Sequence, residues 1–255
     1  MKTLSNLIIF FLLPMLFMGC VGKNVSDKKQ AIAVDTITVP DTGFTGIKNM
    51  MSNGILVREV SYKNGVRNGE TKTYHGGYLY QTFWYENDLR QDSGKWYYNT
   101  GQVFRSTPYV NDTVHGIVVQ YYKNGKVRAR LGYDKGKRTT FFQEYYQNGF
   151  LYKDYPEIVT SVIDEYQNRG TYTINLSLSL KDQNVNFYRG SFINNCFDTA
   201  VLQQLTVTNG TSSIVLRKGE GASVDTVGII AAILSPFGNR YLTSKTVQLP
   251  YGDLK

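Results

Sequence analysis

A 24-residue period constrains this chain more than any other feature. Gly77, Gly101, Gly125 and Gly149 recur every 24 residues. The last two close the pentapeptides Tyr121-Tyr122-Lys123-Asn124-Gly125 and Tyr145-Tyr146-Gln147-Asn148-Gly149. Tyr97-Tyr98-Asn99-Thr100-Gly101 is a looser copy and Tyr74-His75-Gly76-Gly77 a worn one. A second ladder runs between them: Tyr62-Lys63-Asn64-Gly65, Tyr85-Glu86-Asn87-Asp88, Tyr109-Val110-Asn111-Asp112 and Tyr133-Asp134-Lys135-Gly136. A fixed period of this size marks a repeat architecture in which each unit is one small supersecondary element.

The unit from Gln102 to Gly125 shows what that element is. Val103-Phe104 and the run Gly116 to Tyr122 are rich in strand formers. Asn-Gly favours a type I′ turn, because both central residues need φ > 0. Two strands of about five to six residues and two turns fill the period. The expectation is all-β: about four hairpins over 52–155, stacked so that each covers its neighbour's aromatic face.

Tyrosine and charge concentrate in this region. The chain has 20 tyrosines among 255 residues, and 15 lie between Ser52 and Tyr155. Of the net charge of +8, the array carries +6, whereas 156–255 is balanced. Such a surface attracts anionic partners, yet no nucleic-acid reader motif is present, so nucleic acid is not expected.

Within the array, the tyrosine ladder reads as a stacking core or as a binding stripe. Trp84 and Trp96 do not repeat and are candidate exposed contacts. Arg128, Arg130, Lys137 and Arg138 fall within one unit. Alternation puts Arg128 and Arg130 on one strand face, either solvated or able to hold a phosphate or headgroup. His75 and His115 lack metal-ligand spacing, so neither a metal nor a cofactor is expected.

The rhythm stops after Pro156. From Thr171 the chain alternates, with Tyr172, Ile174, Leu176 and Leu178 apolar, which predicts a half-buried strand. Further strands are expected at Ile158–Ile163, Val185–Tyr188, Leu205–Thr208, Ser213–Leu216, Val224–Leu234 and Arg240–Leu249. Seven strands in 100 residues suggest a β-sandwich of immunoglobulin type over 156–255. Ile229 to Leu234, apolar on both faces, is the expected central strand. Cys196 has no histidine in its own domain and reads as a buried thiol.

The N-terminus carries a different message. Leu7 to Met18 is an apolar run too short to span a bilayer and of signal-peptide size. It ends in Leu16-Phe17-Met18-Gly19-Cys20, which resembles the lipobox of bacterial lipoproteins. The resemblance implies cleavage after residue 19, acylation of Cys20, a tether over 20–51, and anchoring in the envelope, with the outer membrane expected because no acidic residue follows Cys20.

The repeats themselves resemble bacterial MORN-type repeats, in the variant with tandem Tyr-Tyr-x-Asn-Gly units labelled as antitoxin components. Tyr121 to Gly125 and Tyr145 to Gly149 carry the likeness, over 52–155. It implies scaffolding, membrane association or toxin neutralisation, and no catalytic residues. The expectation is therefore a non-catalytic lipoprotein whose array binds a protein or glycan of the envelope. An immunity-type protein is the alternative and a glycan-acting enzyme a remote one, since the latter needs two carboxylates at one site.

Overall fold

The computed structural model describes residues 43–180, 184–219 and 224–255. The expected signal peptide, Cys20 and the tether up to residue 42 lie outside the described residues.

The protein is all-β apart from one helical turn. Ten strands follow one another through the first half: β1 (Gly46–Ser52), β2 (Ile55–Lys63), β3 (Val66–His75), β4 (Tyr78–Glu86), β5 (Leu89–Tyr97), β6 (Val103–Val110), β7 (Thr113–Val114), β8 (Gly116–Tyr121), β9 (Val127–Asp134) and β10 (Lys137–Glu144). The second half holds β11 (Ile158–Glu165), α1 (Tyr166–Arg169), β12 (Thr171–Leu178), β13 (Val185–Arg189), β14 (Cys196–Phe197), β15 (Gln203–Gln204), β16 (Ser212–Arg217), β17 (Thr226–Leu234) and β18 (Arg240–Gln248).

The repeat strands do not stack as separate hairpins. They lie side by side in one antiparallel meander, β1-β2-β3-β4-β5-β6-β8-β9-β10, with β7 paired to β6 and β14 added at the far edge. The reason is that hairpins joined by short turns can continue each other's hydrogen-bond ladder, satisfying every backbone group between the two edges. The sheet also starts earlier than residue 52, since Gly46–Ser52 pairs with β2.

Two kinds of turn join its strands. At Asn53-Gly54, Asn64-Gly65, Gly76-Gly77, Asn87-Asp88, Asn111-Asp112 and Lys135-Gly136 both central residues have positive φ, as a type I′ turn requires. The Tyr-Tyr-x-Asn-Gly turns differ. There Gly101, Gly125 and Gly149 alone turn positive, and the glycine N–H donates to the carbonyl of Tyr98, Tyr122 or Tyr146. This is a type I turn closed by a left-handed glycine. The Asn124 and Asn148 carboxamides accept from the N–H two residues on, at 3.1 and 3.0 Å, which holds the asparagine at negative φ.

Beyond the array two small sheets, β11-β12-β16 and β15-β13-β17-β18, face each other as a β-sandwich. Their shared core includes Ile174, Leu176, Phe187, Leu216, Ile229 and Ile233, all essentially inaccessible. β17 is an interior strand of its sheet, between β13 and β18, and its outer face is also buried, with Ile230 and Ala232 against Tyr188 and Leu242. Leu205–Thr208 is not a strand. Pairing stops at Gln204, Leu205 donates to the Phe187 carbonyl, and Leu205 and Val207 tuck against the core instead.

Candidate functional site

One face of the array is built on the Tyr62, Tyr85, Tyr109 and Tyr133 ladder. A cation lies over each ring: Lys48 over Tyr62 at 5.4 Å, Arg67 over Tyr85 at 4.2 Å, Arg90 over Tyr109 at 4.4 Å and Arg138 over Tyr133 at 5.3 Å. Phe83 lies edge-on to Tyr85, Trp96 and Tyr109. Gly94 makes room for this cluster, since a Cβ there would sit 2.5 Å from the Phe83 ring. The aromatic rings therefore pack laterally within one sheet face.

Two of the arginines also tie consecutive repeats together. The Asp88 carboxylate accepts from the Arg67 N–H and Nε, both at 2.9 Å, while the Asp88 N–H donates to the Arg67 carbonyl. Asp112 and Arg90 repeat the arrangement at 2.9 and 2.8 Å. For Asp112 the bonds from Arg90 hold its carboxyl below the usual carboxylate range. For Asp88 burial pushes upward, and the Arg67 bonds outweigh it. The opposite margin uses tyrosine hydroxyls: Tyr98 donates to the Tyr121 carbonyl at 2.8 Å and Tyr122 to the Tyr145 carbonyl at 2.6 Å.

The sandwich docks on this same face, over β8 to β10. Glu144 is fully buried there. Its Oε1 accepts from the Ser235 hydroxyl and the Asn239 amide, each at 2.8 Å, and its Oε2 accepts from the Tyr155 hydroxyl at 3.2 Å. Desolvation holds the Glu144 carboxyl above its ordinary range, against these bonds. Gln120 and Asn239 exchange two amide hydrogen bonds. Around them Tyr146, Tyr152, Tyr155, Phe237 and Tyr241 pack ring to ring, with Tyr155 stacked on Tyr241 at 4.4 Å.

The six sequence-derived contact residues are not brought together. Arg128 donates to the Phe237 carbonyl. Arg138 bonds the Arg240 carbonyl, and Lys137 pairs with Asp198 at 2.5 Å. All three are thus engaged with the second half of the chain. Arg128 and Arg130 do not share a face: a bulge takes Arg128 out of the ladder, with Gln120 opposite Ala129 and Tyr121 opposite Val127. Arg130 is exposed on the other face, opposite Val119 and Gln143. Trp84 is on that face too, 45% exposed and four strand spacings away, roughly 19 Å. Trp96 lies on the aromatic face under Arg105.

His115 pairs with Asp134, and His75 lies beside Tyr80 at the other margin. Cys196 is a buried free thiol. Among the described residues no three His, Cys, Asp or Glu side chains converge, and no helix is long and apolar enough to cross a membrane.

Sequence reasoning missed a depression of about 130 Å³ on the aromatic face of β1 to β4. Arg58, Tyr62, Arg67, Thr71, Phe83 and Tyr85 line it. Only the register of β2, β3 and β4 brings residues 58, 71 and 83 together, so no local signal could have found it. No protein-family model matches the chain, and comparison with curated proteins finds no match either.

Proposed function

We propose that this protein is a non-catalytic lipoprotein of the bacterial cell envelope, anchored through acylated Cys20, whose MORN-type array holds an envelope partner. The observation that carries the reading is the asymmetry of the aromatic face. The sandwich contacts gather on β8 to β10 and the 145–155 turn, while β1 to β6 present cation-capped rings away from it. A broad sheet face with rigid aromatic side chains and fixed cations suits recognition, because little side-chain entropy remains to be lost on binding. The sandwich, of immunoglobulin type in this reading, caps the β8 to β10 end of the array.

Photo-crosslinking in intact cells tests this. Probes replacing Tyr80 or Trp96 on the array should trap a defined envelope protein or glycan, and Cys20→Ala should release the protein from the membrane fraction. Absence of any specific adduct from array positions would overturn the binding role, and membrane retention of the Cys20 variant would overturn the anchor.

A further inference from the structure

The depression on β1 to β4 has a composition that selects a ligand. Its floor is Thr71, 7% exposed, whose hydroxyl has no hydrogen-bond partner. Buried hydroxyls in folded proteins are normally satisfied, and this one lies unpartnered and closed off from solvent beneath the depression, so a ligand oxygen reaches it as the side chains above it move aside. Beside it Thr73 and Gln81 are joined by a long 3.4 Å bond, so both retain hydrogen-bonding capacity. Tyr62, Phe83 and Tyr85 supply aromatic walls, and the cations over Tyr62 and Tyr85 add positive charge at their margins.

The charge on the site is equally specific. Arg67 is bound to Asp88, but Arg58 has no carboxylate partner among the described residues. A guanidinium fork of this kind matches a carboxylate or phosphate. Aromatic walls, a hydroxyl and an amide that can each donate or accept, and one free cation together fit a small polyhydroxylated ring bearing an acid. The depression, about 130 Å³, seats part of one such ring, and its open side lets the rest of the ring and a chain continue outward.

We propose that this depression binds one acidic sugar residue of an anionic saccharide, with Arg58 on the acid group, Thr71 on a ring hydroxyl, and the C–H face of the ring against Tyr62 and Phe83. The proposal deepens the partner-binding reading above and rests on it. An acidic peptide would engage Arg58 equally well but would leave the aromatic walls and the Thr71 hydroxyl without a matched group.

Calorimetric titration of the full chain in detergent tests it, with tetragalacturonate and glucose 6-phosphate as acidic probes, cellotetraose as the neutral one and tetraglutamate as the peptide. At least one acidic saccharide should bind tenfold or more tighter than cellotetraose, and which of the two does so distinguishes a uronate from a phosphate. Arg58→Ala should lower that affinity at least tenfold. Thr71→Val, nearly isosteric, should lower it severalfold while melting no lower than the unaltered protein, so the loss cannot be assigned to misfolding. Equal binding of acidic and neutral saccharides, preference for tetraglutamate, or unchanged affinity in Thr71→Val would overturn the assignment. Array crosslinks that persist in cells despite such a result would leave the partner-binding role standing and remove only the saccharide.

Discussion

Glu144 gives the sharpest test of how the two halves are joined. In Glu144→Ala the Ser235 hydroxyl and Asn239 amide lose their shared acceptor, and the Tyr155 hydroxyl loses its own. Each stranded buried donor costs about 1–3 kcal/mol, and the missing methylenes add a cavity. The expected total is roughly 3–5 kcal/mol, or a fall in Tm on the order of 10 °C for a unit of this size. Glu144→Gln keeps a carbonyl oxygen for Ser235 and Asn239, and its amide can donate to Tyr155. It should stay within about 1 kcal/mol of the unaltered protein at pH 7. The pH dependence separates charge from packing. Desolvation raises the folded-state pKa of Glu144 above its ordinary 4.5. Its contribution is therefore fully present below the unfolded value and is lost as pH rises through the folded one. Glu144→Gln lacks this loss, so its Tm should gain on that of the unaltered protein as pH is raised. Circular dichroism melts at several pH values read all three expectations. An alanine variant that melts within about 2 °C of the original, or a glutamine variant that falls as far as alanine, would refute the reasoning.

Three further outcomes follow from the repeat geometry. Asp112→Ala and Arg90→Ala, combined in a double-mutant cycle of unfolding free energies, should show a coupling of about 0.5–1 kcal/mol, near the upper end for part-exposed pairs because the contact is multidentate. Since Arg90 lowers the Asp112 pKa, that coupling is present above the unfolded value of 3.8 and should fade as pH falls through the folded one. Gly94→Ala places a Cβ 2.5 Å from the Phe83 ring and 3.0 Å from Tyr109, and should cost about 1–3 kcal/mol in chemical denaturation. Tyr122→Phe removes a 2.6 Å bond to the Tyr145 carbonyl and should cost about 1 kcal/mol by the same measurement, with a smaller loss pointing to water taking the place of the hydroxyl.

Much of the fold was legible because its determinants are local. The alternation of Tyr172 to Leu178 and the doubly apolar Ile229–Leu234 run yielded β12 and the buried centre of β17. The Asn-Asp and Asn-Gly pairs of one turn ladder have the backbone their residue types favour. What escaped was set by neighbours distant in sequence or by broken register. Nothing near Glu144 announces a buried carboxylate, because Ser235 and Asn239 lie more than 90 residues on. Strict alternation joined Arg128 to Arg130, and a single-residue bulge parted them. The Asn-Gly of the Tyr-Tyr-x-Asn-Gly turns suggested type I′, yet the asparagine side chain, by bonding its own backbone, selects another turn. Arg58 and Thr71 carry no periodic or compositional mark at all.

The far edge of the large sheet has a consequence for how the protein is made. From β1 to β10 every strand pairs with one synthesised within a few residues of it, so the meander can grow step by step behind the emerging chain. β10 is different. Its outer edge is closed at the Glu144 end by the Tyr152 N–H, but along Arg138 to Thr140 its partners are Asn195 to Phe197, more than 50 residues on. Closing a loop of that length is slow compared with making a hairpin. During the interval β10 is a sticky end carrying Phe141 and Phe142, and a nascent or truncated chain is most exposed there to pairing with its own copies.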